Sequence, residues 1–331
     1  MRANPLSWSI SRATVLRYCA KKYYFKYYTY HLRVMDRTLW LNSLTLKSLQ
    51  SIDMWVWEKT HKVLSEYLRL IYRDKLTDEL FDEIKDNIRE EMERDFKKSK
   101  IKDFDKYDKY NRFGLSEHYY GQDIDDKLGE AIEKVYKNLD AFANHEFTAK
   151  LRETFIPENK IYIEPKNPDF EKMKFVIDVP ELLDVVLWGA PDFGIITKEG
   201  KYIIYDWKSG KEDRKEWEVS EQLKVYTQKI LSNTGVSIND IDVETYEVYV
   251  PSMNMYGGKV WETEVEEAVQ KIIKDVDAQK KFLKDEDITQ NQPLESVMFK
   301  RTEDVKKCDS CTFRKVCTKL KEFEWMDMMI D

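Results

Sequence analysis

Residues 189–210, GAPDFGIITKEGKYIIYDWKSG, hold two aspartates and a lysine at spacings that can converge. A three-residue turn at Lys198-Glu199-Gly200, with Gly200 left-handed, pairs Thr197 with Lys201. Strand alternation then sets Asp192 opposite Asp206 and puts Lys208, two residues on, on the same face. A two-residue turn would send the two acids to opposite faces. Facing carboxylates repel and raise each other's pKa. A divalent cation removes that cost, and hard oxygen ligands with open positions suit Mg²⁺ or Mn²⁺. Such a cation polarises a phosphate oxygen and delivers hydroxide. Lys208 would orient the water or offset charge on phosphorus. The competing reading is an exposed hairpin with ordinary surface charges. Pro191, Phe193, Tyr205 and Trp207 flank the acids, which points to a sheet interior where charge needs a reason.

Four cysteines form a second constellation. Cys308, Cys311 and Cys317 make C-x₂-C-x₅-C near the C-terminal end, and Cys19 stands alone near the other. One distant and three clustered thiolates can build a four-thiolate site. Spacing alone suits zinc and an iron–sulfur cluster equally, with unbound thiols behind both.

The elements that must position these groups follow from periodicity. Residues 45–73, 77–98 and 122–150 read as helices, with Thr77 as an N-cap and residues 99–121 irregular. From about residue 160 the texture becomes strand-like: IYIE, KFVIDV, VVLWGAPDFGIIT and YIIYDWKSG. Residues 212–232 return to helix. VETYEVYV and KVWETEV read as two strands around a Gly257-Gly258 turn, and 264–284 as a last long helix. Three regions result: a helical region at 1–160 with the first cysteine and a helical insertion, a sheet-and-helix core at 161–264, and a helix with a cysteine-bearing tail at 265–331.

Charge is segregated along this order. Residues 1–37 carry eight Lys/Arg against Asp36, interleaved with Tyr18, Tyr23, Tyr24, Phe25, Tyr27, Tyr28 and Tyr30. Bases among aromatics suit nucleic acid, but composition alone favours a cationic helix that packs its rings inward. Residues 300–319 are a second basic patch. Residues 74–146 hold 21 acids against 14 bases and read as solvated helices, which argues against a binding face there. The whole chain has 331 residues, 55 Lys/Arg and 62 Asp/Glu, for a net charge of −7. Its 20 Tyr, 15 Phe and 9 Trp can supply a core, which excludes collagen, a disordered tail and a disulfide miniprotein. No stretch approaches the roughly 18 apolar residues of a membrane span, and the first residues lack a signal-peptide core. A soluble, intracellular (cytoplasmic) protein with reduced or metal-bound cysteines is expected. No G-x-x-x-x-G-K-[ST] phosphate loop occurs, so unwinding would need a separate partner.

The chain resembles the RecB-like branch of the PD-(D/E)XK nucleases. Gly189-Ala190-Pro191-Asp192 is similar to that branch's G-x-x-D motif, Asp206-Trp207-Lys208 to its D/E-x-K motif, and Gln222 with Tyr226 to its Q-x-x-x-Y motif. His61, in WEKTHKVLSEYL, fits the family's histidine, with Trp57 where a Gly is usual. The opening SWSISRATVLRYCAKKYYFKYY is similar to the S-x-S-R…C-P-x-x-F-x-Y start of members with a four-cysteine 4Fe–4S cluster, of the CRISPR-adaptation exonuclease and AddB nuclease-domain type; Ala20 replaces the Pro.

The resemblance implies an α/β fold with an αβββαβ mixed-sheet core, an N-terminal helical region and a C-terminal iron–sulfur tail. It implies Mg²⁺ or Mn²⁺ held by His61, Asp192, Asp206 and the Trp207 carbonyl, with Lys208 completing the catalytic set. Gln222 and Tyr226 would bind DNA or position phosphate. Cys19, Cys308, Cys311 and Cys317 would hold the cluster, or zinc in its place. Glu164, one strand upstream, is a candidate to assist, with a strand-edge charge as the favoured reading. The implied activity is DNA hydrolysis, exonuclease-like, on single strands or ends, in recombination, repair, phage DNA processing or CRISPR adaptation. A separate helicase or recombination or CRISPR-adaptation proteins would be partners. The rival readings are an inactive nucleic-acid-binding or assembly protein on this fold, and a zinc-stapled nuclease acting on RNA.

Overall fold

Alternation along YIIYDWK, residues 202–208, sorts aromatic from ionisable side chains. In the computed structural model, which describes residues 5–28, 37–102, 113–167, 169–210, 212, 215 and 217–317, this segment is the central strand of a five-stranded sheet. Tyr205 and Trp207 face one side and stack with Phe193 and Tyr246. Phe142 and Phe147 meet that stack edge-on, their centroids 5.2 Å from Trp207 and Tyr205. They come from helices Lys127–Asn144 and Glu146–Glu153. Each such ring contributes about 1.5–3 kcal/mol by leaving water. Ile204 and Asp206 face the other side, under a cluster of Leu223, Tyr226, Val260 and Val265.

The strands are β1 (Lys160–Ile163), β2 (Phe193–Ile196), β3 (Tyr202–Lys208), β4 (Val243–Tyr249) and β5 (Asn254–Lys259), in spatial order β5-β4-β3-β2-β1. All neighbours are antiparallel except β3 and β4. A parallel pair needs a crossover, and helix Glu221–Thr234 supplies it. Ser220 caps its start by accepting from the Leu223 N–H, and Gly235 at φ 69° ends it. With helix Ile52–Tyr72 ahead of β1 and further helices and short strands inserted between, the core elements fall in the order αβββαβ, the expected nuclease-like α/β core.

The chain divides into two compact units. One comprises Asp53–Arg94 and Asp125–Ile273 and contains the sheet; the other comprises Met1–Ile52, Asp95–Ile124 and Lys274–Asp331. In the second unit, helices Ile10–Tyr18 and Ala20–Tyr27 meet at an extended Cys19. Tyr23, Tyr24, Phe25 and Tyr28 are buried, with Phe25 stacked on Phe313 and Tyr24 against Phe299. These rings are core, as composition favoured. Residues 1–4 and 29–36 of the basic segment lie outside the described residues.

Several expected boundaries move. The helix read over 45–73 is interrupted: Leu49 and Gln50 pair with Gly114 and Leu115. A new helix starts where the Ile52 N–H donates to the Glu117 carboxylate. The helix read over 122–150 breaks at His145, which is extended and accepts from the Phe147 N–H through Nδ1. Within 99–121, Gly114–Leu115 is a strand and Ser116–Tyr119 a helical turn, while 103–112 lie outside the described residues. Thr77 does cap its helix, accepting from the Leu80 N–H. The helix read from 212 begins only at Glu221, and KFVIDV keeps only Lys174–Phe175 as strand. The reading of KVWETEV as a strand is wrong. The strand is Asn254–Lys259, the turn lies before it, and WETEV leads into helix Glu262–Lys280. Gly257 sits at φ 136°, where a Cβ would stand 2.1 Å from the Thr245 carbonyl oxygen. Close approach inside a strand, and no turn, requires that glycine.

Candidate active site

The hairpin turn fixes everything around it. Gly200 is at φ 85°, and the Thr197 N–H donates to the Lys201 carbonyl at 2.9 Å. Phe193 pairs with Tyr205 and Ile196 with Tyr202, the register a three-residue turn dictates. Asp192 therefore enters opposite Asp206. Its Oδ2 accepts from the Trp207 N–H at 2.7 Å, and its carbonyl accepts from the Glu164 N–H at 2.9 Å. The acid is thus tied to β3 on one side and to the end of β1 on the other.

Helix Glu221–Thr234 brings its i, i+4 pair to Asp206. Gln222 Nε2 and the Tyr226 hydroxyl both donate to Asp206 Oδ1, at 2.9 and 3.1 Å. Lys208 Nζ lies 2.5 Å from Asp206 Oδ2 and donates to Gln222 Oε1 at 2.7 Å. Helix Ile52–Tyr72 supplies His61, whose Nδ1 is 3.3 Å from Asp192 Oδ1 and 3.9 Å from Glu164 Oε2. Trp57, one turn earlier, stands edge-on to the imidazole at 4.7 Å and holds its plane. Arg69 donates to the Glu164 carbonyl.

His61, Asp192, Asp206, Lys208, Gln222 and Tyr226 therefore meet in one place. Trp207 contributes its amide N–H to Asp192 and its ring to the opposite face. His61, Glu164 and Asp192 bring three donor atoms within 4.8 Å of one another, one nitrogen and two carboxylate oxygens. That set suits a hard or borderline divalent ion. Asp206 is engaged by Lys208, Gln222 and Tyr226.

Glu164, read as a strand-edge charge, belongs to the cluster. Extending the β1–β2 register by one step, from Ile163↔Phe193, puts Glu164 opposite Asp192. The arithmetic that paired the two aspartates would have found it. Glu247, by contrast, was missed outright. It is Asp206's partner on parallel β4 and only 2 % exposed. No turn fixes a parallel register, so the sequence carried no signal for it.

The electrostatics express crowded negative charge. Burial, then the Asp192 charge, push Asp206 up to about 6, with Lys208 and His61 opposing. Burial alone would lower His61, but hydrogen bonds and charge from Asp192 and Glu164 outweigh it and push the imidazole up to about 10. Burial also works against the Lys208 ammonium, and Asp206 and Glu247 more than reverse it, so its pKa rises. A site that raises acids and bases together is short of positive charge, the deficit a divalent ion fills.

In the other unit, Cys19, Cys308, Cys311 and Cys317 line a single cavity, with Lys21, Lys22, Arg301, Lys307 and Arg314 around it. Burial pushes the Cys311 and Cys317 thiols up. All four thiols line this one cavity, while no three of their sulfurs lie within 4.8 Å of one another.

The sequence profile of the PD-(D/E)XK nuclease superfamily matches residues 7–318. No curated protein matches the chain. Among the described residues, no helix is long and apolar enough to cross a membrane.

Proposed function

The chain belongs to the PD-(D/E)XK nuclease superfamily, whose members hydrolyse phosphodiester bonds, and from that premise we propose that it is a Mg²⁺- or Mn²⁺-dependent deoxyribonuclease of the RecB-like type, acting on single-stranded DNA or DNA ends. The observation that carries the reading is the meeting of Glu164, Asp192 and Asp206 with His61 and Lys208 at one end of the sheet. His61, Glu164 and Asp192 would hold the ion, and Asp206 would join once released from Lys208. The bound ion supplies Lewis acidity at phosphate oxygen and a more acidic water. Lys208 orients that water towards phosphorus and offsets charge developing there. Gln222 holds Lys208 and Asp206 in register with each other, and Tyr226 fixes the second Asp206 contact. The scissile phosphate would lie over this pair.

The four-thiolate cavity supports a 4Fe–4S cluster, with zinc as the alternative its donors equally allow. Ligation would join Cys19 to the far end of the chain and stabilise the fold by closing that loop. An intracellular protein in recombination, repair, phage DNA processing or CRISPR adaptation fits such a cofactor.

The test is cleavage of end-labelled linear and circular DNA, single- and double-stranded, and of RNA, in Mg²⁺ or Mn²⁺. The expected result is metal-dependent loss of linear single strands, abolished in Asp192→Ala with DNA binding kept. Cleavage unchanged by Asp192→Ala would refute the site, and binding without cleavage in the wild type would favour the inactive-binder reading. Broad visible absorbance of an anaerobic preparation would report the cluster; a colourless protein with one zinc would report the alternative.

A further inference from the structure

Strand register lines up four acids, one per strand. Glu164 lies opposite Asp192, Asp192 opposite Asp206, and Asp206 beside Glu247. In-register neighbours project to the same face, so the row crosses β1, β2, β3 and β4. The three-donor group occupies the β1–β2 end of it. Glu247 stands at the other end, on the far side of Asp206, and is as deeply buried as Asp206 itself. Carboxylates seldom go so deep without a charge to meet.

Lys208 lies between the last two acids. Its Nζ is 2.5 Å from Asp206 Oδ2 and 3.9 Å from Glu247 Oε1. Asp206 Oδ1 already accepts from Gln222 and Tyr226. An Asp206 that turns Oδ2 to a divalent ion must give up its contact with Lys208. The ammonium, repelled by the incoming ion, then keeps its Gln222 hydrogen bond but needs another counter-charge.

We propose that Glu247 is a positioning residue, the fixed counter-charge that keeps Lys208 at the reaction site when Asp206 engages the metal. This deepens the nuclease reading and rests on it for the role of Lys208. Glu247 is suited to the task by its place. It is one strand removed from the metal group, and it is carried by the parallel strand whose pairing runs the length of β3.

The experiment is a double-mutant cycle of Glu247→Gln, Lys208→Met and the two combined, with three readouts. In urea unfolding of the metal-free protein, each single variant should lower the midpoint. The combined variant should recover part of the loss, because the buried Glu247 carboxylate no longer faces a missing ammonium. In titration with Mn²⁺ alone, Glu247→Gln should bind more tightly than Asp192→Asn, since a charge outside the ligand set costs less than a ligand. In single-turnover cleavage of single-stranded DNA at saturating Mn²⁺, Glu247→Gln should be slower by about 10- to 100-fold with unchanged DNA affinity. It should add nothing to Lys208→Met.

Additive midpoint losses, or a wild-type rate in Glu247→Gln, would overturn the proposal. So would a Mn²⁺ affinity as weak as that of Asp192→Asn, which would make Glu247 a ligand. If Glu247→Gln does not fold, the combined variant still reads the coupling, because it folds only if the two charges depended on each other. If the wild type cleaves nothing, the nuclease reading falls, while the unfolding arm still decides whether the two charges are coupled.

Discussion

Replacing Glu164 by Gln tests the site most sharply, because this residue looked like an ordinary edge charge until the strands were paired. The change keeps shape and removes one negative charge from the three-donor group. Its carboxylate is 3.9 Å from His61 Nδ1, and the side chain is 39 % exposed. Unit charges at this separation attract by about 4 kcal/mol at an effective dielectric near 20. Partial exposure reduces this to about 1–2 kcal/mol. The cation that fills the group should feel a loss of the same order, or about 5- to 30-fold in affinity. Calorimetric titration of the purified protein with Mn²⁺ measures it directly, with Glu199→Gln, an exposed turn charge, as control. The expected order is Asp192→Asn weakest, Glu164→Gln intermediate, and Glu199→Gln equal to wild type. A Glu164→Gln protein that binds Mn²⁺ like wild type, beside an impaired Asp192→Asn, would refute the three-donor arrangement.

Other outcomes follow from the same geometry. Lys208→Met should bind Mn²⁺ and DNA yet cleave about 10²–10⁴-fold more slowly, the usual cost of losing a positioned proton-transfer or water-orienting group; single-turnover kinetics read this. In the metal-free protein both shifted groups are raised, so each contributes stability at low pH that is lost on titration. The Asp206 share goes as pH rises from about 4 to about 6, and the His61 share between about 6.5 and 10. Melting temperature in EDTA should therefore fall with pH across these windows. Mn²⁺ should oppose the fall and release protons on binding, detectable in buffers of different ionisation enthalpy. Gly257→Ala should destabilise by about 2 kcal/mol or more in chemical unfolding, because its Cβ would meet the Thr245 carbonyl. Cys19→Ser and Cys308→Ser, from opposite ends of the sequence, should lose bound iron or zinc equally, as elemental analysis would show.

Local signals carried the hairpin and little else of the site. The turn at 198–200 and the apolar flanks of the two aspartates fix their register, so Asp192, Asp206 and Lys208 were legible as a group. The Gln222–Tyr226 pair and His61 came only with the family resemblance, whereas the inward packing of Tyr23, Tyr24 and Phe25 was legible from composition. Glu164 was within reach of the same counting but needed the β1–β2 pairing first. Glu247 was not, because the link between β3 and β4 is a helix and no turn counts residues across it. The breaks at Leu49–Gln50 and His145 were hidden for a related reason: their hydrogen-bond partners are supplied by other segments. Gly257-Gly258 misled because a glycine pair signals a turn, whereas here one of them clears space for a neighbouring backbone.

The row of carboxylates also constrains how the catalytic end of the sheet can come into being. Its members ride on separate strands and are drawn from segments far apart along the polypeptide. The last of them docks only after the chain has wound through a helix to lie parallel with its neighbour. An emerging polypeptide that stops before residue 243 lacks β4 and, with it, Glu247. Only when β4 has paired with β3 is the row of four acids complete.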